Sequence, residues 1–223
     1  ILSGLGLLAI WSVDLALSPE ALPNFYKQLA FIGGGIVLAL IMSYWDYRAL
    51  RALSRPLYIA GALTLLAVAF FGTVIRGTRG WFQFGGLTFQ PVELAKVILI
   101  VVLAKYLSLK AHIIDFKVVL NLGILSGLYA ALTLLQPDFG SALTLLGITV
   151  GMLLLTNVPR RYLAVGLLAC FIIAALSWKF FLQDYQKARV VSFLDPMADP
   201  FGRGYNIRQS VIAVGAGGLF GRG

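Results

Sequence analysis

Charge is scarce in this chain, and acidic charge scarcest: of 223 residues, 9 are Asp or Glu and 18 are Lys or Arg, so that 12% are charged in all. Soluble domains usually carry about 25% charged residues. There is one histidine, His112, and one cysteine, Cys170. A single thiol excludes an internal disulfide, and one histidine with one cysteine excludes a clustered His/Cys metal site. A Ser-His-Asp arrangement and a phosphate-binding glycine loop are also missing. Oxygen-only coordination of Mg²⁺ or Mn²⁺ by aspartates stays open, because hard cations prefer oxygen ligands.

What the chain has instead is apolar mass, with 60% hydrophobic residues and a mean hydropathy of +0.90. Water cannot solvate so much apolar surface on a chain of this length, so the bilayer is its solvent. Apolar runs at about 1–18, 26–44, 56–74, 91–109, 117–135, 141–158 and 162–182 predict seven spans, each near the ~20 residues a membrane helix needs. The expected fold class is all-α: a polytopic integral membrane bundle over 1–182, then an extracytoplasmic segment over 183–223. Short alternating strands, which a membrane barrel requires, are lacking. No internal repeat supports an inverted-repeat transporter. The apolar start has no basic region before it and is followed by further spans, unlike a signal peptide. The abrupt first residue Ile1 and last residue Gly223 suggest a fragment, truncated at both ends.

The net charge is +9. No basic helix or aromatic platform lies outside the spans, so nucleic acid is not an expected partner. Membrane topology explains the excess better. Arg48, Arg51 and Arg55 follow the second span, Lys110 and Lys117 the fourth, and Arg160 and Arg161 the sixth. Loops on the other side hold only Lys27, Arg76 and Arg79. The positive-inside rule places the first group, and the N-terminus, in the cytoplasm. The unusual polar residues then collect at the outer face.

Three stretches carry those residues. In RGTRGWFQFGGLTFQPVELAK, residues 76–96, the aromatic residues Trp81, Phe82, Phe84 and Phe89 around Gly85-Gly86 read as an interfacial hairpin. Pro91 and Glu93 suit the first turn of the next helix. Glu93 and Lys96 share a helix face and can pair. Charges at such a depth are functional candidates, and the alternative is a pair that pins two helices together. Arg76 and Arg79 match phosphate oxygens in bidentate fashion, or anchor lipid headgroups. In Gln136-Pro137-Asp138-Phe139-Gly140, Asp138 caps the following helix or takes part in chemistry. In the tail, Asp195-Pro196 and Asp199-Pro200 hold carboxylates on a constrained loop beside Arg203. They are turn formers or a general base. The apolar, glycine-rich run 210–220 is too short to span and suits an interfacial or re-entrant segment.

Together GTRGWFQFGGLTFQPVELAK, LLQPDFGSAL and FLDPMADPFGRGYNIRQSVIAVGAGGLFGRG resemble the RodA/FtsW/SpoVE family, the SEDS proteins, in order and spacing over essentially the whole chain. The wording Leu194-Asp195-Pro196 and the Gly85-Gly86 hairpin look closer to the RodA branch. The resemblance implies a ten-helix fold with a large outer loop after the seventh helix. It implies peptidoglycan glycosyltransferase activity on lipid II, in complex with a class B penicillin-binding protein. By the same resemblance Asp199 matches the family's essential loop aspartate, and Glu93 with Lys96 its membrane-embedded pair. The chain ends before the family's last three helices, so by itself it is expected to be inactive. Rival functions are a lipid II flippase and a non-catalytic scaffold for the penicillin-binding protein. All three place the chain in a bacterial cytoplasmic membrane, among membrane lipids and polyprenyl-diphosphate-linked glycan.

Overall fold

The computed structural model describes residues 1–17, 22–44, 46–75, 77–85, 87–110, 115–156, 158–180 and 205–218, with the single positions 184, 187 and 191. In order they form α1 (Leu2–Leu17), α2 (Pro23–Ser43), α3 (Tyr47–Phe71), β1 (Thr73–Ile75), β2 (Thr78–Phe84) and β3 (Leu87–Phe89). There follow α4 (Pro91–Lys110), α5 (Phe116–Leu134), α6 (Phe139–Leu154), α7 (Arg160–Phe180) and α8 (Tyr205–Gly217). The chain is a polytopic helical membrane protein. By length and apolar composition α2, residues 48–71 of α3, and α5 suffice to cross a bilayer, and α1 and α6 are shorter apolar helices.

Two compact units divide the chain: Ile1–Trp45 with Leu176–Gly223, and Asp46–Ala175. In the first, α1 packs along α2. Helix α2 begins with Pro23, which has no N–H, and its N-cap position, Leu22, offers no side-chain acceptor. Asp14 of α1 supplies one from outside. Its Oδ2 accepts from the Phe25 N–H at 2.8 Å and its Oδ1 from Asn24 Nδ2 at 2.8 Å. The carboxylate is 2% exposed, so an acid inside an apolar helix is tolerated because it satisfies the start of the next one.

The second unit holds the buried core, drawn from Leu65 of α3, Val92, Leu99 and Leu103 of α4, Leu122 and Tyr129 of α5, and Leu145 of α6. Tyr58 and Tyr129 stack with centroids 4.6 Å apart and planes 2° apart. Tyr129 donates its hydroxyl to the Tyr58 carbonyl at 2.9 Å, and Tyr58 donates to the Leu125 carbonyl at 2.7 Å. Gly61 faces this pair. A Cβ there would collide with the Tyr129 hydroxyl, so glycine is what lets α3 and α5 approach. Buried Ser126 and Thr133 return their hydroxyls to carbonyls four residues back, so neither hydroxyl is stranded in the apolar interior.

Between α3 and α4 the chain forms an antiparallel sheet in the order β1-β2-β3. Strand β2 pairs with β3 through Phe82↔Phe89, Gln83↔Thr88 and Phe84↔Leu87, leaving a two-residue turn. Gly85 in that turn has φ +50°, as tight hairpin turns require.

Helix boundaries differ from the sequence reading at α3. It starts at Tyr47 rather than about 56, because Asp46 accepts from the Arg48 N–H at 2.8 Å and caps it, and Pro56 is carried inside the helix. It stops at Phe71 rather than 74, because the β-branched run Thr73-Val74-Ile75 enters the sheet.

Candidate functional site

The sheet, the start of α4 and the turn between α5 and α6 meet at one end of the second unit. Two hydrogen bonds join them. The Arg79 N–H on β2 donates to the Gln136 carbonyl at 3.1 Å. Gln90, immediately before α4, donates from Nε2 to Asp138 Oδ2 at 3.2 Å. Two of the three stretches singled out in the sequence thus become one surface.

Asp138 is the N-cap of α6: its Oδ1 accepts from the Ser141 N–H at 3.0 Å, and its Oδ2 from Ser141 Oγ at 2.7 Å. With Gln90 this makes three donors on one half-buried carboxylate. Both readings of Asp138 bear on one atom set, since a capped and bridged carboxylate is also held in a fixed orientation.

Gln136 anchors the junction from beneath, 1% exposed. Its Nε2 donates to the Leu65 carbonyl of α3 at 3.0 Å, while its Oε1 has no partner among the described residues. Gly80 lies against it: a Cβ at that position would stand 3.2 Å from Oε1 and 3.7 Å from Gln90 Nε2. A side chain would wedge β2 away from the helices.

One turn into α4, Lys96 Nζ lies 2.7 Å from Glu93 Oε2. The lysine is 23% exposed and the glutamate 59%, so the pair faces outward and is neutral as a unit. An exposed pair of this kind contributes about 0–1 kcal/mol to stability. Arg79 is exposed and carries positive charge at the same end. Arg76, Asp195, Asp199 and Arg203 lie outside the described residues. Among the described residues no three His, Cys, Asp or Glu side chains converge as a metal site, and neither Glu93 nor Asp138 is part of one.

Sequence reading assigns no role to Gln90 and Gln136, whose amides hold this end together. A signal was present, because each immediately precedes a proline at a helix boundary. Proline disfavours the helical conformation in the residue before it, so such a residue stands at a boundary rather than inside a helix. It also passed over Asp14, hidden in an apolar run.

A family model described as "Cell cycle protein", for FtsW, RodA and SpoVE, matches residues 1–223. The chain is 36% identical to "Probable peptidoglycan glycosyltransferase FtsW" of Hydrogenovibrio crunogenus, over 100% of this chain and 58% of that protein. It is 32% identical to "Peptidoglycan glycosyltransferase MrdB" of Escherichia coli, over 97% of this chain and 57% of that protein. The chain therefore spans a little under three-fifths of these relatives. Among solved structures, one described as "Structural coordination of polymerization and crosslinking by a peptidoglycan synthase complex" matches with a TM-score of 0.69 and 37% identity, covering 96% of this chain and 66% of that one. The rod shape determining protein RodA of Thermus thermophilus matches with a TM-score of 0.59 and 35% identity, covering 75% and 58%.

Proposed function

The chain belongs to the FtsW/RodA/SpoVE family, and on that premise we propose that it forms the greater part of a membrane peptidoglycan glycosyltransferase. The observation that supports this reading best is the joined end of the second unit. There the Arg79 and Gln90 bonds collect the hairpin, α4 and the α5–α6 turn beside the Glu93–Lys96 pair. The substrate is lipid II, and the site works at the outer face of the cytoplasmic membrane during cell elongation. The loop charges orient the N-terminus inward. The partner is a class B penicillin-binding protein, in keeping with the solved synthase complex that couples polymerization to crosslinking.

In this mechanism the 4-hydroxyl of one lipid-linked disaccharide attacks the anomeric carbon of the growing chain. A carbon–oxygen bond forms, the bond to the polyprenyl diphosphate breaks, and the carbon inverts. The hydroxyl proton passes to the Asp199 carboxylate. A positioned base contributes roughly 10²–10⁴-fold, so charge stabilisation at the leaving diphosphate carries much of the remainder. Arg76, Arg79, Lys96 and Arg203 are the cations for that task.

The test uses the full-length protein, purified with its penicillin-binding partner and supplied with lipid II. Glycan strands made by the wild type and lost in Asp199→Asn support the transferase. Normal strands from Asp199→Asn remove Asp199 as the base. Transbilayer movement of labelled lipid II without any polymer turns the function to a flippase.

A further inference from the structure

The hairpin joins the end of α3 to the start of α4, so the beginning of α3 and the end of α4 lie at the other end of the second unit. A second set of polar groups gathers there, and the function above makes no use of it. Lys105 of α4 donates to the Oγ of buried Ser54 on α3 at 2.9 Å, and Ser54 donates to the Arg51 carbonyl at 2.9 Å. Asn121 of α5 donates to the Tyr106 hydroxyl at 2.6 Å. These bonds hold an ammonium and a phenol at the wall of a cavity of about 490 Å³ between α3, α4 and α5.

The cavity has two kinds of lining. Arg55, Lys105, Tyr106 and Asn121 make it polar on one side, while Ile59, Val102, Ile124 and Leu125 make it apolar about one turn further along the helices. Ile59 and Ile124 remain 60% and 59% exposed, so the apolar part is open on its side. A second cavity of about 510 Å³ shares Tyr106, Leu109 and Asn121 with the first and adds Lys110, Asp115 and Lys117. Asp115 is the one acid in either lining, and its Oδ1 already accepts from the Val118 N–H at 2.9 Å as the cap of α5. Among the described residues Arg55, Lys105, Lys110 and Lys117 have no carboxylate partner.

We propose that these joined cavities bind an anionic membrane phospholipid. Its phosphate sits between Arg55 and Lys105, and one acyl chain runs along Ile59, Val102 and Ile124. Four cations against one engaged carboxylate select a negative headgroup, and basic pockets between membrane helices are suited to such lipids. Lys105 spends one of its three donors on Ser54, so two remain for phosphate oxygens. A soluble anion would have no use for an apolar wall open to lipid. A neutral lipid would leave the cations unmatched.

Native mass spectrometry of the full-length protein in detergent, titrated with phosphatidylglycerol or phosphatidylcholine, tests this. Phosphatidylglycerol should bind and phosphatidylcholine should not. Arg55→Gln, at an exposed position, should weaken binding about fivefold, and Arg55→Gln with Lys105→Gln about thirtyfold. Ile59→Trp, which fills the apolar part, should weaken it with every charge retained. Equal retention of the two lipids would overturn the proposal, as would unchanged phosphatidylglycerol binding in Arg55→Gln and Ile59→Trp. Displacement of the lipid by inorganic phosphate at similar concentration would make this a free-anion site and also overturn it.

Discussion

Gln90 and Asp138, 48 residues apart in the chain, meet at 3.2 Å across the start of α4 and the start of α6. The contact ties the β2–β3 hairpin to a turn whose carboxylate is already committed to capping a helix. Strand position, helix start and acid orientation are therefore set together, and changing one disturbs the others.

Asp138→Ala should lower stability by about 1 kcal/mol through loss of the α6 cap. Asp138→Asn keeps an acceptor for the Ser141 N–H and should be close to wild type in thermal unfolding. The two variants also separate structure from chemistry. Glycan synthesis that survives in Asp138→Asn makes the residue a cap. Synthesis lost with stability unchanged gives the carboxylate a part in the reaction.

Glu93→Gln breaks an outward-facing pair and should change unfolding stability by less than about 1 kcal/mol. Lipid II polymerisation by the full-length protein is therefore the informative measurement for this pair. If it falls tenfold or more while the melting temperature holds, Glu93 and Lys96 act on substrate. If melting temperature and activity fall together, the pair serves to pin the helix.

Gly61→Ala should destabilise the protein by about 1–3 kcal/mol, since the added methyl meets the Tyr129 hydroxyl in a packed interior. Removing that hydroxyl in Tyr129→Phe relieves the closest contact, though the ring carbon Cζ stays 3.1 Å from the methyl. The double variant should recover part of the loss, a non-additivity of about 0.5–3 kcal/mol in a double-mutant cycle. Strict additivity in thermal unfolding would place the strain elsewhere.

Asp14→Ala leaves the Phe25 N–H and the Asn24 amide without their acceptor. Hydrogen exchange at the first turn of α2 should quicken, with the interior of α4 unchanged. Asp14→Asn, which keeps one oxygen, should fall between the two. Equal exchange in all three forms would show that water already serves as the cap.

Part of this joined end was legible because its residues are conspicuous where they stand. Glu93, Lys96 and Asp138 are charges inside or beside apolar runs, and Gly85-Gly86 between aromatic residues marks a turn. Asp14 was as conspicuous in type but lacked a neighbour in sequence to give it a role. Its partners, Asn24 and Phe25, lie in the following helix. Gln90 and Gln136 carry no role in the sequence alone because a neutral amide costs little in a loop, and only burial shows what it holds. The start of α3 was misplaced because Pro56 reads as a helix boundary, whereas the cap at Asp46 carries the helix past it.

By itself the sequence determined the solvent, the helical class and the family, because apolar content and local spacing are properties of neighbouring residues. The tertiary structure alone decided that the hairpin and the α5–α6 turn share one surface, that Gly61 exists for Tyr129, and that Ser54 and Lys105 shape a cleft at the other end. Each of these is a contact between elements distant in the chain. Such contacts depend on which faces pack, and weakly amphipathic membrane helices do not declare their faces in local pattern.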